Sequence, residues 1–176
     1  MADRRYTETF LFDEITHTDP IAAGAEFRYF VDTSSKNRRQ QNFDNERRIQ
    51  SGAEMLIWSL RIQYAPDVPL ADALLIEDQA WVQLLVDDIP QMEGTISLFP
   101  WGGGLVAWTP EAAATGDTVS NGLQSAQAAY NRRTPVKLDG DQTYEVIIRY
   151  GAAADLSASA VITVALLVQL GVPVRA

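Results

Sequence analysis

The chain of 176 residues contains no cysteine. Disulfides, thiolate metal centres and a cysteine nucleophile are therefore excluded, and the redox compartment leaves no trace in the composition. Histidine occurs once, as His17. One imidazole cannot build a multi-histidine metal site of the cupin kind. A Ser-His-Asp arrangement would have to use this one residue, and no Gly-x-Ser-x-Gly turn accompanies it. Lysine is scarce: Lys36 and Lys137 stand against twelve arginines. No apolar run approaches the ~20 residues of a membrane-spanning helix; the longest, 160–170, is interrupted by Thr163 and Gln169. The first residues, Met1 to Glu8, carry charges with no apolar core behind them, so no secretory signal is expected. The expectation is a chain made in the cytoplasm without Sec-type export, soluble or built into an assembly.

The formal net charge is -9. A surface of that sign does not neutralise a phosphate backbone, so no direct nucleic-acid binding is expected. The arginine-over-lysine usage reads as that of a GC-rich genome; adaptation to high salt is the competing reading. The length suits one domain, 1–176, large enough to bury a core without covalent staples.

What is present is alternation. Residues 6–12 alternate Tyr6, Glu8, Phe10 and Phe12 against Thr7, Thr9 and Leu11. Residues 26–32 place Phe27, Tyr29 and Val31 inward, and 54–64 place Leu56, Trp58, Leu60, Ile62 and Tyr64 on one face. Period-two patterning in β-branched and aromatic residues predicts strands. Further strands are expected at 80–86, 95–99, 105–108, 135–138, 143–150 and 160–170. A short helix is expected over 70–77, where Leu70, Ala73, Leu74 and Glu77 share a face, with one long helix over 70–88 as the alternative. Residues 13–24, 33–52 and 110–131 read as loops, the last two long and polar. The final strand is apolar on both faces and so belongs in the middle of a sheet. This is an all-β, antiparallel sandwich or barrel with long polar loops and little helix.

Chemistry is harder to find. Asp87-Asp88 and Asp139/Asp141 are the visible carboxylate pairs that a glycosidase would need, but each sits where a turn is expected. Asp139-Gly140-Asp141 suits a tight hairpin and lacks the remaining ligands of a calcium loop. Trp101-Gly102-Gly103-Gly104 is followed by no Lys-Ser/Thr, so it is not a phosphate loop. No catalytic residue, cofactor site or metal site is expected, and His17 reads as a loop residue without a catalytic role. Lys36, Arg38, Arg39, Arg47 and Arg48 form the one basic cluster, diluted by Asp44 and Glu46. It reads as a solvated loop, an inter-subunit contact or a face for an anionic surface. Arg132 and Arg133 are candidates for the same surface. Of the tryptophans, Trp58 and Trp108 read as core, Trp81 as surface or interface, and Trp101 as the best exposed aromatic for stacking on a sugar.

The order of features adds a resemblance. The strand Phe27-Arg28-Tyr29-Phe30-Val31-Asp32-Thr33 leads into a polar loop ending Ile49-Gln50-Ser51-Gly52, followed by the strand 55–62. Val136-Lys137-Leu138, the turn from Asp139 to Val146, a closing run 164–171 and Arg175 follow. From about Phe10 to Arg175 this resembles the upright single jelly-roll capsid proteins of icosahedral, internal-membrane-containing phages and haloarchaeal viruses. The resemblance implies a non-enzymatic virion subunit of eight strands in two four-stranded sheets. Its partners would be other copies of itself and a second capsid protein, with contact to an internal viral membrane. No binding residue carries over by position. Residues 36–48 and 115–133 are the expected contact loops, and Thr143–Val172 reads as a closing hairpin whose second face (Val161, Ala165, Leu167) packs on a neighbouring subunit. The alternative is a carbohydrate-binding or phage adhesion module on the same sandwich.

Overall fold

The computed structural model describes residues 4–32, 36–43, 48–49, 51–101, 106–108, 118–121 and 131–173. Its elements in order are β1 (Arg4–His17), β2 (Glu26–Tyr29), β3 (Glu54–Tyr64), α1 (Leu70–Gln79), β4 (Ala80–Val86), β5 (Ile89–Thr95), a 3₁₀ turn (Ile96–Leu98), β6 (Val106–Trp108), β7 (Thr118–Ser120), β8 (Asn131–Asp139), β9 (Tyr144–Tyr150) and β10 (Ala160–Pro173). Two four-stranded antiparallel sheets, β1-β10-β3-β8 and β2-β9-β4-β5, face each other; β6 and β7 form a separate ribbon. The chain is an all-β sandwich.

Alternation fixes which residues meet between the sheets. One sheet contributes Leu11, Met55, Ile57, Leu60, Ile62, Ile162, Val164, Leu166 and Val168; the other answers with Tyr29, Val82, Leu84, Val146, Ile148 and Tyr150, all buried. Strand β10 lies between β1 and β3 with long ladders to both, the central position its two apolar faces require. It does not pair with β9, which sits in the opposite sheet between β2 and β4. The expected closing hairpin is therefore a crossover between layers. Residues 151–159 make the passage, with Ile21 bridging Ala154 along the way.

Three local features redraw other expected boundaries. Strand β1 continues through residues 13–17, expected as loop, because β10 pairs with it as far as His17. Strand β3 changes inward parity: Trp58 is the extra residue of a β-bulge, Leu167 and Val168 of β10 facing Ser59 and Ile57 on either side of it. Met55 and Ile57 point inward before the bulge and Leu60, Ile62 and Tyr64 after it, so Leu56 and Trp58 are half-buried on the outer face. Finally, Asp87 and Asp88 both adopt positive φ, 49° and 63°, the requirement of a two-residue type I′ hairpin. The chain reverses at once after Val86, so β5 occupies 89–95 and residues 96–98 form the 3₁₀ turn in place of a strand at 95–99. Pro90 is tolerated because β5 is an edge strand. Helix α1 ends at Gln79, two residues beyond the short helix expected over 70–77 and well before the long alternative to 88, and Ala80 passes directly into β4.

Candidate functional site

The carboxylate pairs prove to be turn chemistry. Asp87 accepts hydrogen bonds from the Thr143 amide at 2.9 Å, the Thr143 hydroxyl at 3.2 Å and Gln142 Nε2 at 2.7 Å. These donors hold its carboxyl below the usual range. Asp139 pairs with Lys137 at 3.1 Å, and Asp141 takes the positive φ of its turn, 75°. Among the described residues no group of three or more His, Asp or Glu is placed to hold a metal ion.

His17 is not a loop residue. It is fully buried at the end of β1, stacked on Phe27 at 3.7 Å between ring centroids. Both ring nitrogens are engaged, Nε2 with the Tyr29 hydroxyl and Nδ1 with that of Tyr150, each at 2.8 Å. The Tyr29 hydroxyl donates to the Ile162 carbonyl at 3.4 Å. Tyr29 therefore accepts from Nε2–H, and Nδ1 accepts from Tyr150, which assigns the tautomer. Burial lowers the imidazole pKa from 6.5 to about 3. Through Phe27 and Tyr29 of β2 and Tyr150 of β9, its contacts tie β1, β2 and β9 together.

A second buried polar centre is Asp13, which receives the Phe30 amide at 2.6 Å and Lys36 Nζ at 2.5 Å. Phe30 has φ 67°, a conformation that bulky residues avoid, and the Asp13 carboxylate holds its amide there while its ring packs on Phe43 and Tyr144. Burial raises the Asp13 pKa against the opposing pull of Lys36. Lys36 is thereby committed within the chain and withdraws from the expected contact surface.

The remaining basic candidates do not share one surface. Arg38 and Arg39 are exposed on the segment that bridges β1 through Asp13 and Gln41, whereas Arg132 and Arg133 begin β8. Strands β1 and β8 are opposite edges of the same sheet. Arg132 donates through Nη1 to the Gln91 carbonyl at 2.9 Å, spanning a groove of about 740 Å³ between the β5 and β8 edges. Arg133 is exposed beside it. Arg48 is exposed and bridges Thr143 at the start of β9. Arg47, Asp44, Glu46, the glycines at 102–104, the stretch 122–130 and the Trp108 side chain lie outside what the structure describes.

Two outer faces carry the apolar and aromatic candidates. On the β1-β10-β3-β8 sheet, Leu167 is half-buried and faces Phe10 across the ladder; Ala165, flanked by Phe12 and Arg61, is fully buried. The Arg61 guanidinium lies 5.2 Å over the Phe10 ring. The strip expected to face a neighbour is thus partly covered by its own sheet, with Val161 and Leu167 half-buried and Ala165 buried, while Tyr6 and Phe10 of β1 are exposed. Trp101 is half-buried against Phe10 at 6.3 Å, so it is not the exposed aromatic. That role falls to Trp81, 41 % exposed on the opposite sheet. Its cross-strand partners are Arg149 and Thr95, and next along the same face the Gln83 amide donates to Glu93 at 3.1 Å. Beyond Arg149, Glu26 pairs with both Arg149 and Arg28, whose donors lower its pKa. Strict alternation along β4 was the available signal: Trp81 is the odd-parity neighbour of inward Ala80 and Val82.

A last feature lies at the end of the sandwich near Arg48. Leu11, Phe43, Ile49, Met55 and Leu170 line an apolar pocket of about 250 Å³ with Arg48 among its lining. Among the described residues no helix is long and apolar enough to cross a membrane. No protein-family model matches the chain, and no curated protein matches it.

Proposed function

We propose that the chain is a structural subunit of an icosahedral viral capsid, a non-enzymatic jelly roll that assembles with copies of itself. The observation that carries this reading is the nesting of its strand pairs. Apart from the β6-β7 ribbon, first pairs with last (β1 with β10), then β2 with β9, β3 with β8, and β4 with β5, all antiparallel. Successive pairs alternate between the two sheets. A long hairpin ribbon wound around a core produces that pattern, which is the wrap of a jelly roll. Among the described residues, His17, Asp87 and Asp139 are engaged between the sheets or in turns, which is compatible with a building block. A second coat protein and an internal membrane are the further partners this reading implies.

The test is assembly. Purified full-length chain is expected to sediment as closed oligomers whose population grows with concentration, visible as discrete capsomer-sized particles by electron microscopy. A chain that stays monomeric at every accessible concentration overturns the reading.

A glycan-binding module is the second reading, favoured by one observation: Trp81 stands exposed on a flat sheet face beside amide, carboxylate and guanidinium groups. Such a face suits stacking on a sugar ring with hydrogen bonds at its rim. Titration with a glycan panel should quench tryptophan fluorescence and lose the effect in Trp81→Ala; no response to any glycan removes this reading.

A further inference from the structure

We propose that the pocket under Arg48 is a binding site for a single alkyl chain bearing one anionic head. The lining comes from four strands and the segment before β3: Leu11 from β1, Met55 from β3, Tyr144 from β9, Leu170 and Val172 from β10, and Phe43 and Ile49. Leu11, Phe43, Ile49, Met55 and Tyr144 are buried while Val172 and Arg48 are exposed, so the site opens at its Arg48 rim and extends inward between the sheets. Its volume of about 250 Å³ exceeds the roughly 150 Å³ of an apolar cavity that already accepts a benzene-sized guest. The lining is mainly aliphatic and flexible, which suits an alkyl chain better than a planar ring.

The polar lining decides the head group. Asn42 is tied to β1, its Oδ1 accepting from the Phe12 amide at 2.7 Å and its Nδ2 donating to the Phe10 carbonyl at 2.5 Å. Arg48 is exposed and has no ion pair to a described residue. A guanidinium over an apolar pocket selects a carboxylate or phosphate head, which it can grip with two parallel hydrogen bonds. On a chain of net charge -9, the acidic balance disfavours anions in general, and an exposed guanidinium at the rim of an apolar pocket offsets it locally. The volume holds one short chain, which favours a free amphiphile over a lipid still packed in its bilayer. The inference is independent of assembly: a chain that never oligomerises can still bind here.

The methionines provide the readout. Met55 lines this pocket and Met92 lines the distant β5-β8 groove. Full-length protein labelled at the methionine methyls is titrated with sodium decanoate below its micelle concentration and followed by NMR and calorimetry. Saturable one-to-one binding that shifts the Met55 methyl and leaves Met92 in place is expected. Arg48→Gln should weaken decanoate about tenfold, the loss of one charge-assisted contact, while decanol should bind the parent and the variant alike. The proposal is overturned if Met55 does not move, if Arg48→Gln binds decanoate as the parent does, or if phosphatidylglycerol vesicles shift Met55 while decanoate does not.

Discussion

His17 shows how one residue type changes meaning with its surroundings. Above pH 6.5 the folded and unfolded chains both carry it neutral, and its titration contributes nothing. Below that, the unfolded chain takes up a proton that the buried imidazole, with its pKa lowered to about 3, refuses. Stability therefore falls as pH drops from 6.5 toward 3, by about 3 kcal/mol at pH 4.5. Asp13 acts with the opposite sign, since its raised pKa favours proton uptake by the folded chain as acid is added. Denaturant unfolding at pH 6.5 and 4.5 should show the loss in the parent and a much flatter response in His17→Gln, even though that variant starts less stable. Tyr150→Phe, which deprives Nδ1 of its donor, should cost about 1–3 kcal/mol at neutral pH. The sequence identifies His17 as isolated from any catalytic motif; that it is a structural tie depends on Tyr29 and Tyr150, which are 12 and 133 residues away.

At the scale of the element, backbone conformation decides what alternation leaves open. Asp88 sits at φ 63° in the second position of the β4-β5 turn, where glycine is strongly preferred. Asp88→Gly is expected to raise the melting temperature by about 2 °C, with β5 unchanged; a lower melting temperature contradicts the type I′ assignment. The bulge in β3 makes a sharper prediction. Trp58→Phe keeps the backbone count and should be mild. Deleting Trp58 removes the extra residue and makes Ile57–Val168 and Ser59–Leu167 successive ladder pairs, so Met55, Ile57, Leu60, Ile62 and Tyr64 all still face inward along an unbroken alternation. Circular dichroism is expected to show the deletion variant folded and cooperative, as Trp58→Phe is; an unfolded deletion variant contradicts the bulge assignment. The alternating run 54–64 identifies β3 as a strand, yet it assigns the wrong parity to Leu56 and Trp58 because a bulge has no mark in the side-chain pattern. The Asp-Asp pair is expected at a turn, but its two-residue type is not legible for a related reason: both residues can adopt positive φ, and neither announces it as glycine would.

For the whole molecule, acidic surface and scarce lysine bear on conditions rather than on architecture. If the composition reflects only codon usage, melting temperature should change little between low and moderate salt. Steep stabilisation by molar salt would instead mark adaptation to high ionic strength, and full stability at low ionic strength removes that idea. Composition and alternation by themselves determined the all-β class, the absence of thiol and multi-histidine chemistry, and the central position of β10. These follow from local rules, because a residue's chemistry and the period of its neighbours are properties of the chain. The tertiary structure alone decided that β9 and β10 lie in opposite sheets, that Lys36 serves Asp13, that Trp81 and not Trp101 is exposed, and that Arg48 overlooks an apolar pocket. Each of these depends on residues far apart in sequence meeting across a sheet or between two, and such meetings are set by packing, register and crossover, which leave no periodic signal in the chain.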